Sequence, residues 1–123
     1  MSAADRSRVL IVEDETEVRR VLARFVRLFG AEPVVAEDGL EGWELARLAD
    51  PPFDLVITDS RMPRMTGPVL IGKLREQFPD IPILRVSGSD GLSHGPSLSG
   101  VVTLQKPFTL DEFIAAIRQL LPD

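Results

Sequence analysis

Four separate stretches of the chain carry side chains whose types are suited to chemistry on a phosphoryl group. Two carboxylates, Glu13 and Asp14, directly follow one apolar run, and a third, Asp59, follows another. The hydroxyl of Ser87 and the ammonium group of Lys106 follow similar runs further along the chain. If the fold brings the three carboxylates together, they repel one another and stay ionised near neutral pH only when a cation offsets the repulsion.

Oxygen ligands without histidine or cysteine indicate a hard divalent cation, so we predict Mg²⁺, with Mn²⁺ as the alternative. Because Mg²⁺ keeps waters and phosphate oxygens among its ligands, such a site is suited to holding a phosphoryl group. Lys106 and Ser87 supply a positive charge and a donor for the other phosphoryl oxygens. Asp59 is then left as the nucleophile, and its product is an acyl phosphate.

The elements that must position these residues are short strands and the helices between them. The strands are rich in β-branched residues and apolar on both faces, which is typical of a parallel sheet covered on both sides. They are predicted at residues 9–12, 33–35, 55–57, 81–86 and 101–102.

Helical spacing of apolar residues predicts four helices. The first contains Val18 to Phe29 and is closed by Gly30, the second surrounds Trp43, and the third stops before Pro79. The last begins at a capping box that opens at Thr109. The stretch 87–100 is rich in glycine and serine, so we predict a shortened or irregular helix between the fourth and fifth strands.

Alternating strands and helices predict an α/β fold with a five-stranded parallel sheet in the flavodoxin-like order 2-1-3-4-5. Such sheets bind ligands beyond the carboxyl ends of their strands, where the strand order reverses. For this order, the reversal lies between the first and third strands, which are followed by Glu13, Asp14 and Asp59. We therefore expect all five candidate residues to face one crevice.

The composition restricts the classes of function. The length of 123 residues fits one domain, predicted at residues 8–123 after a flexible tail at 1–7. The net charge of −5 argues against general binding to nucleic acid or an anionic membrane. Cysteine is absent, which excludes disulfides and thiolate sites. The sequence also contains no apolar run long enough to predict a signal peptide or a membrane span. We expect a cytoplasmic protein.

Four ordered motifs resemble the receiver domain of two-component response regulators: residues 9–14, 54–67, 87–88 and 106–108. The resemblance implies that Asp59 is the phosphoacceptor and that Glu13 and Asp14 are the metal-binding acidic pair. It adds the backbone carbonyl of Arg61 as a metal ligand, and it implies that Ser87 and Lys106 contact the phosphoryl group. A cis bond between Lys106 and Pro107 is also implied.

The function implied by the resemblance is phosphorelay signal transduction. Asp59 would accept a phosphoryl group from a histidine kinase or a histidine phosphotransfer protein in a Mg²⁺-dependent reaction. The protein would be a switch whose chemistry is limited to its own phosphorylation and slow dephosphorylation, and not an enzyme. Residues 104–109 look like receivers at the C-termini of hybrid sensor kinases, and because the chain begins at a methionine we interpret it as a stand-alone relative.

Two departures from the family pattern leave an alternative open. Thr103 stands where family members usually carry an aromatic residue, and the stretch 88–100 replaces a regular helix. The alternative is an interaction module that keeps the receiver fold and works without phosphorylation. If the protein is phosphorylated, we expect its signal to depend on order and disorder of residues 88–100. A flavin mononucleotide binder with the same fold is disfavoured, because Glu13 and Asp14 would repel its phosphate.

Four of the candidate residues also have a purely structural interpretation. Asp14 would cap the first helix with Glu17 as its partner, and Asp59 would begin a turn. Ser87 would begin a loop, and Lys106 would be an ordinary solvated lysine. Only the positions of these side chains in the folded chain distinguish the interpretations.

Overall fold

The computed structural model describes residues 7–62, 64–88 and 100–121, which contain five strands and four helices. The strands are β1 (Arg8–Val12), β2 (Glu32–Ala36), β3 (Leu55–Asp59), β4 (Ile83–Ser87) and β5 (Val101–Gln105). The helices are α1 (Thr16–Phe29), α2 (Gly39–Leu48), α3 (Gly67–Gln77) and α4 (Leu110–Leu120).

The five strands form one parallel sheet in the order β2-β1-β3-β4-β5, which confirms the predicted flavodoxin-like α/β fold. The register pairs Val12 with Thr58 and Asp59 with Val86, so β1, β3 and β4 end at the same edge of the sheet. The residues that follow these strands are therefore neighbours in space, although they are far apart in the sequence.

An apolar layer covers each face of the sheet. On one face, Phe113 of α4 and Val26 of α1 are fully buried against the sheet. On the other face, Leu70 and Leu74 of α3 are fully buried against Val56 and its neighbours. Burial on both faces explains why the strands are almost entirely apolar.

The helix ends confirm most of the predicted boundaries. Gly30 follows α1 with a φ of 108°, and its N–H donates to the carbonyls of Val26 and Arg27. Thr109 and Glu112 form the complete capping box at the start of α4. The structural interpretation of Asp14 is wrong, because α1 begins after Glu15 without any side-chain cap.

Some predictions concern parts of the chain outside the described residues. The irregular helix falls on 89–99, and most of the predicted tail falls on 1–6. The predicted tail includes Ser7, but this residue is 4% exposed and its carbonyl accepts a 2.8 Å hydrogen bond from the Glu32 N–H, so it belongs to the folded part. Among the helices described, none has the length and apolar character needed to cross a membrane.

Candidate functional site

A cleft of about 330 Å³ lies at the carboxyl edge of the sheet, where β1, β3 and β4 end beside the β5–α4 loop. The residues that line it are Asp14, Glu15, Asp59, Ser60, Arg61, Ser87, Gly88 and Lys106. Five of the six residues predicted for the site are in this lining. The sixth, Glu13, is completely buried and lies beneath the cleft instead of lining it.

Three carboxylates meet at the floor of the cleft. One oxygen from each of Glu13, Asp14 and Asp59 lies within 4.8 Å of the others. Glu13 is 0% exposed and Asp59 is 8% exposed, whereas Asp14 is open to solvent. Grouping three acidic side chains, two of them almost completely buried, is unfavourable unless positive charge accompanies them.

Lys106 supplies part of that charge. Its Nζ lies 3.3 Å from Glu13 Oε1 and 3.3 Å from Asp59 Oδ2, so one ammonium group is shared by two carboxylates. Burial acts to lower the pKa of Lys106, but the nearby charges of Glu13 and Asp59 raise it above its usual value. Lys106 is therefore a permanent cation of the site, and its interpretation as an ordinary solvated lysine is wrong.

The charge of the site is still unbalanced. When all three carboxylates are ionised, they and the ammonium group of Lys106 sum to −2, which is the charge that one divalent cation would neutralise. Burial, together with repulsion from Asp59, raises the pKa of Glu13 to about 7, although the Glu15 N–H and Lys106 act against this shift. The chemistry of the donors, all oxygen atoms, fits Mg²⁺ or Mn²⁺.

Asp59 is held by donors on both carboxylate oxygens. The backbone N–H of Ser60 donates to Oδ1 at 2.7 Å, and Lys106 contacts Oδ2. The loop after Asp59 then folds back sharply, since a Cβ on Gly67 would lie only 2.4 Å from the Asp59 carbonyl oxygen. A side chain at position 67 would thus displace the residue that carries the acceptor carboxylate.

Ser87 and Arg61 also line the cleft. Ser87 is 1% exposed, and its hydroxyl donates to the Gly88 carbonyl at 3.2 Å. The Lys106 N–H donates to the Ser87 carbonyl at 2.7 Å, which fastens the β5–α4 loop to the end of β4. The bond between Lys106 and Pro107 is cis, as the resemblance implies.

Two arginine contacts around the cleft were missed by the sequence interpretation. Arg19 of α1 donates to the Glu13 carbonyl at 2.9 Å and lies 3.6 Å from a carboxylate oxygen of Glu37. Arg64 of the β3–α3 loop donates to the carboxylate of Asp38 at the start of α2. Arg64 lies 26 positions after Asp38 in the sequence, so no local pattern could have revealed their contact.

Residues 9–118 match the family profile described as the response regulator receiver domain, so the chain belongs to that family. This finding confirms the family resemblance, and with the parallel sheet it defines the class of protein: a receiver domain of two-component signalling. Membership of this signalling family is consistent with a switch that is not an enzyme.

The relatives extend this result. The chain is 35% identical over 117 residues to the response regulator MprA of a Mycobacterium species (strain KMS), covering 93% of the chain and 50% of MprA. It is 37% identical over 118 residues to hybrid signal transduction histidine kinase D of Dictyostelium discoideum, covering 92% of the chain and 7% of that kinase. The chain thus spans about half the length of the MprA regulator that it matches.

Among solved structures, the chemotaxis protein CheY4 of Vibrio cholerae is similar with a TM-score of 0.81 and 26% identity. The similarity covers 94% of this chain and 99% of that one. The likeness extends over nearly the whole chain, which agrees with one receiver fold across the described residues.

Proposed function

We propose that the chain is a phosphorylation-dependent switch in which Asp59 accepts a phosphoryl group from a phosphohistidine on a histidine kinase or a histidine phosphotransfer protein. The observation that carries this proposal is the shared position of Lys106, 3.3 Å from both Glu13 and Asp59, within a cluster of three carboxylates. A purely structural site has no need to bury so much unbalanced charge.

In the proposed transfer, a carboxylate oxygen of Asp59 forms a bond to phosphorus while the phosphorus–nitrogen bond to the donor imidazole breaks. The electron pair of that bond stays on the imidazole nitrogen, which takes up a proton. The product is an acyl phosphate on Asp59. The signal ends when water attacks phosphorus and the bond between phosphorus and the Asp59 oxygen breaks. This hydrolysis releases inorganic phosphate and regenerates the carboxylate.

The side chains around Asp59 have separate roles in this proposal. The Lys106 ammonium group binds a phosphoryl oxygen and offsets the negative charge that the transfer brings into the cleft. The Ser87 hydroxyl turns from the Gly88 carbonyl to donate to another phosphoryl oxygen. The Ser60 N–H keeps Asp59 oriented, because it fixes Oδ1 at 2.7 Å.

The residues that would hold Mg²⁺ are Asp14, Asp59 and Arg61, the last through its backbone carbonyl, with Glu13 adding charge from beneath. When bound, Mg²⁺ would supply positive charge that offsets the negative charge of the acceptor carboxylate and the phosphoryl group. The charge of −2 in the cleft and its all-oxygen donors support this assignment. Mn²⁺ is suited to the same donors.

The test is the intact mass of the protein after incubation with acetyl phosphate, with and without Mg²⁺, and then with a phosphohistidine donor. We expect one labile phosphoryl adduct on the wild type that requires Mg²⁺. It should be absent from Asp59→Asn and present in Asp80→Asn, which changes an exposed carboxylate far from the cleft.

The opposite outcome has a definite meaning. If neither donor gives an adduct and titration detects no Mg²⁺ binding, the switch proposal is rejected. The phosphorylation-independent interaction module, which the threonine at position 103 favours, then becomes the better account.

A further inference from the structure

We propose that Arg64 is a positioning residue for the cleft. By pairing with Asp38 at the start of α2, it holds the β3–α3 loop in the conformation that presents Arg61 and Asp59 to a divalent cation. This inference rests on the proposed function of the cleft and adds to it a residue that lies outside the cleft lining.

The contact between Arg64 and Asp38 is well anchored on the side of the helix. Two nitrogens of the guanidinium donate to Asp38 Oδ2, with Nε at 3.0 Å. The other oxygen, Oδ1, accepts from the Glu41 N–H at 2.9 Å and so caps α2. The Asp38 side chain is 11% exposed, whereas that of Arg64 is 60% exposed. The mostly buried carboxylate of Asp38, itself fixed by the helix, therefore restrains the exposed side chain of Arg64.

The backbone of Arg64 needs such a contact. Its φ is 68°, in the left-handed region that favours glycine and tolerates asparagine. Among the described residues that are not glycine, only Arg64 has a positive φ. A conformation that the residue itself disfavours persists only when its surroundings hold it, and the pair with Asp38 supplies that restraint.

The loop is also pressed closely against α2 and β3. A Cβ on Gly39, the first residue of α2, would lie 2.2 Å from the Met65 carbonyl oxygen. At the other end of the loop, the Gly67 N–H donates to the Ser60 carbonyl at 3.2 Å. The Arg64–Asp38 pair thus fastens the middle of a loop whose neighbouring residues already touch α2 and β3.

The connection to the cleft is short along the chain. Arg61 and Asp59 line the cleft only three and five residues before Arg64. When the pair breaks, we expect the loop to gain freedom and Arg61, the nearer of the two residues along the chain, to shift. Groups that orient metal ligands from outside the ligand set typically change metal affinity by about 10- to 100-fold when they are removed.

Two substitutions separate the charge pair from the rest of the local structure. Asp38→Asn keeps a residue that caps helices well and removes the charge that Arg64 needs. Arg64→Asn removes the guanidinium and introduces a residue that tolerates the left-handed conformation. The matched control is Arg47→Ala, which removes the exposed ion pair between Arg47 and Glu44 on α2.

The experiment measures the Kd for Mg²⁺ alone by calorimetric titration of the unphosphorylated protein, beside phosphorylation by acetyl phosphate over a range of Mg²⁺ concentrations. We expect Asp38→Asn and Arg64→Asn each to raise the Kd by about tenfold, the low end of the range for such groups. The Kd of the double variant should be no higher than that of either single variant, because the two substitutions remove the same contact. Arg64→Lys should recover part of the affinity.

If Mg²⁺ binding alone is weakened, saturating Mg²⁺ should restore the phosphorylation rate of both variants to within about twofold of the wild type. If the variants have lost their fold instead, saturating Mg²⁺ should not restore the rate. The inference is overturned if the wild type binds Mg²⁺ while both asparagine variants bind it equally well, or if Arg47→Ala weakens binding to the same extent. A wild type that neither binds Mg²⁺ nor accepts a phosphoryl group overturns the proposed function itself, and the inference with it.

Discussion

The two apolar layers of the molecule differ sharply from its carboxyl edge. In the layers, fully buried side chains such as Phe113 and Leu74 pack against the sheet, and their burial removes no charged group from water. At the edge, Glu13 and Asp59 are nearly as well buried but carry like charges, and one lysine serves both. Burial is thus favourable in one region and unfavourable in the other.

The difference teaches where stability and function reside. The layers provide the free energy of folding, and the edge uses part of it to hold charges close together before any ligand arrives. Charged groups fixed in advance need little rearrangement when a phosphoryl group and a cation enter. Substitutions in the layers should therefore change stability alone, whereas substitutions at the edge should impair function and raise stability.

The largest effect on stability is expected in the apolar layer around Phe113. This ring is fully buried and lies 5.4 Å from the Phe25 centroid and 5.9 Å from the Phe108 centroid. Phe113→Ala should lower the free energy of unfolding by about 4 kcal/mol. Urea denaturation measures the loss, and Leu28→Ala, at a residue 59% exposed, serves as the control with a change within about 0.5 kcal/mol.

A divalent cation should reverse the unfavourable character of the edge. At a Mg²⁺ concentration of about 100 times its Kd, the wild type should gain about 2.7 kcal/mol in the free energy of unfolding. Asp14→Asn, which removes the exposed carboxylate of the cleft, should lose most of this gain at the same concentration. Equal stabilisation of both proteins in thermal melts would place the cation elsewhere.

Neutralising the acceptor should stabilise the protein when no divalent cation is present. In Asp59→Asn, Glu13 no longer faces a second buried carboxylate, and Lys106 is left to pair with Glu13 alone. We expect a gain of about 1 kcal/mol at pH 8 in the presence of a chelator, measured by urea denaturation. Asp80→Asn should be neutral; destabilisation by Asp59→Asn would mean that the edge is built for stability after all.

The smallest effect concerns the pH dependence of the Arg64–Asp38 pair. Although burial acts to raise it, the Glu41 N–H and the Arg64 guanidinium hold the pKa of Asp38 below its usual 3.8. A lowered pKa contributes stability above the unfolded value and loses it as the pH falls through the folded value. Because Arg64 is largely exposed, the contribution is about 0.5 kcal/mol.

This contribution can be isolated by comparing the wild type with Asp38→Asn from pH 7 down to below pH 3.8. The wild type should be the more stable at neutral pH, and the difference in unfolding free energy should shrink as the pH falls below 3.8. A difference that stays constant over this range would show that the charge of Asp38 contributes nothing.

The sequence alone predicted most of the fold, because each element carries a local signal. Strands covered on both faces are apolar throughout, Gly30 ends α1, and Thr109 opens α4. The convergence of Glu13, Asp59 and Lys106 was predicted from the sheet order, since the carboxyl ends of parallel strands meet at one edge.

Other features depend on contacts that no local pattern encodes. The depth of Glu13 beneath the cleft follows from packing around the end of β1, and the sequence did not distinguish it from the exposed Asp14. The positive φ of Arg64 occurs together with a contact to Asp38, which lies 26 positions away in the chain.

The central claim is that Asp59 forms the acyl phosphate, and reduction with borohydride tests it most directly. Borohydride cleaves an acyl phosphate and converts the aspartate that carried it to homoserine, whereas phosphate esters on Ser60 or Ser87 survive. After incubation with acetyl phosphate and Mg²⁺, peptide mapping should find homoserine at position 59, and only in the complete mixture. Homoserine at another aspartate, or a phosphate ester on either serine with Asp59 unchanged, would contradict the account.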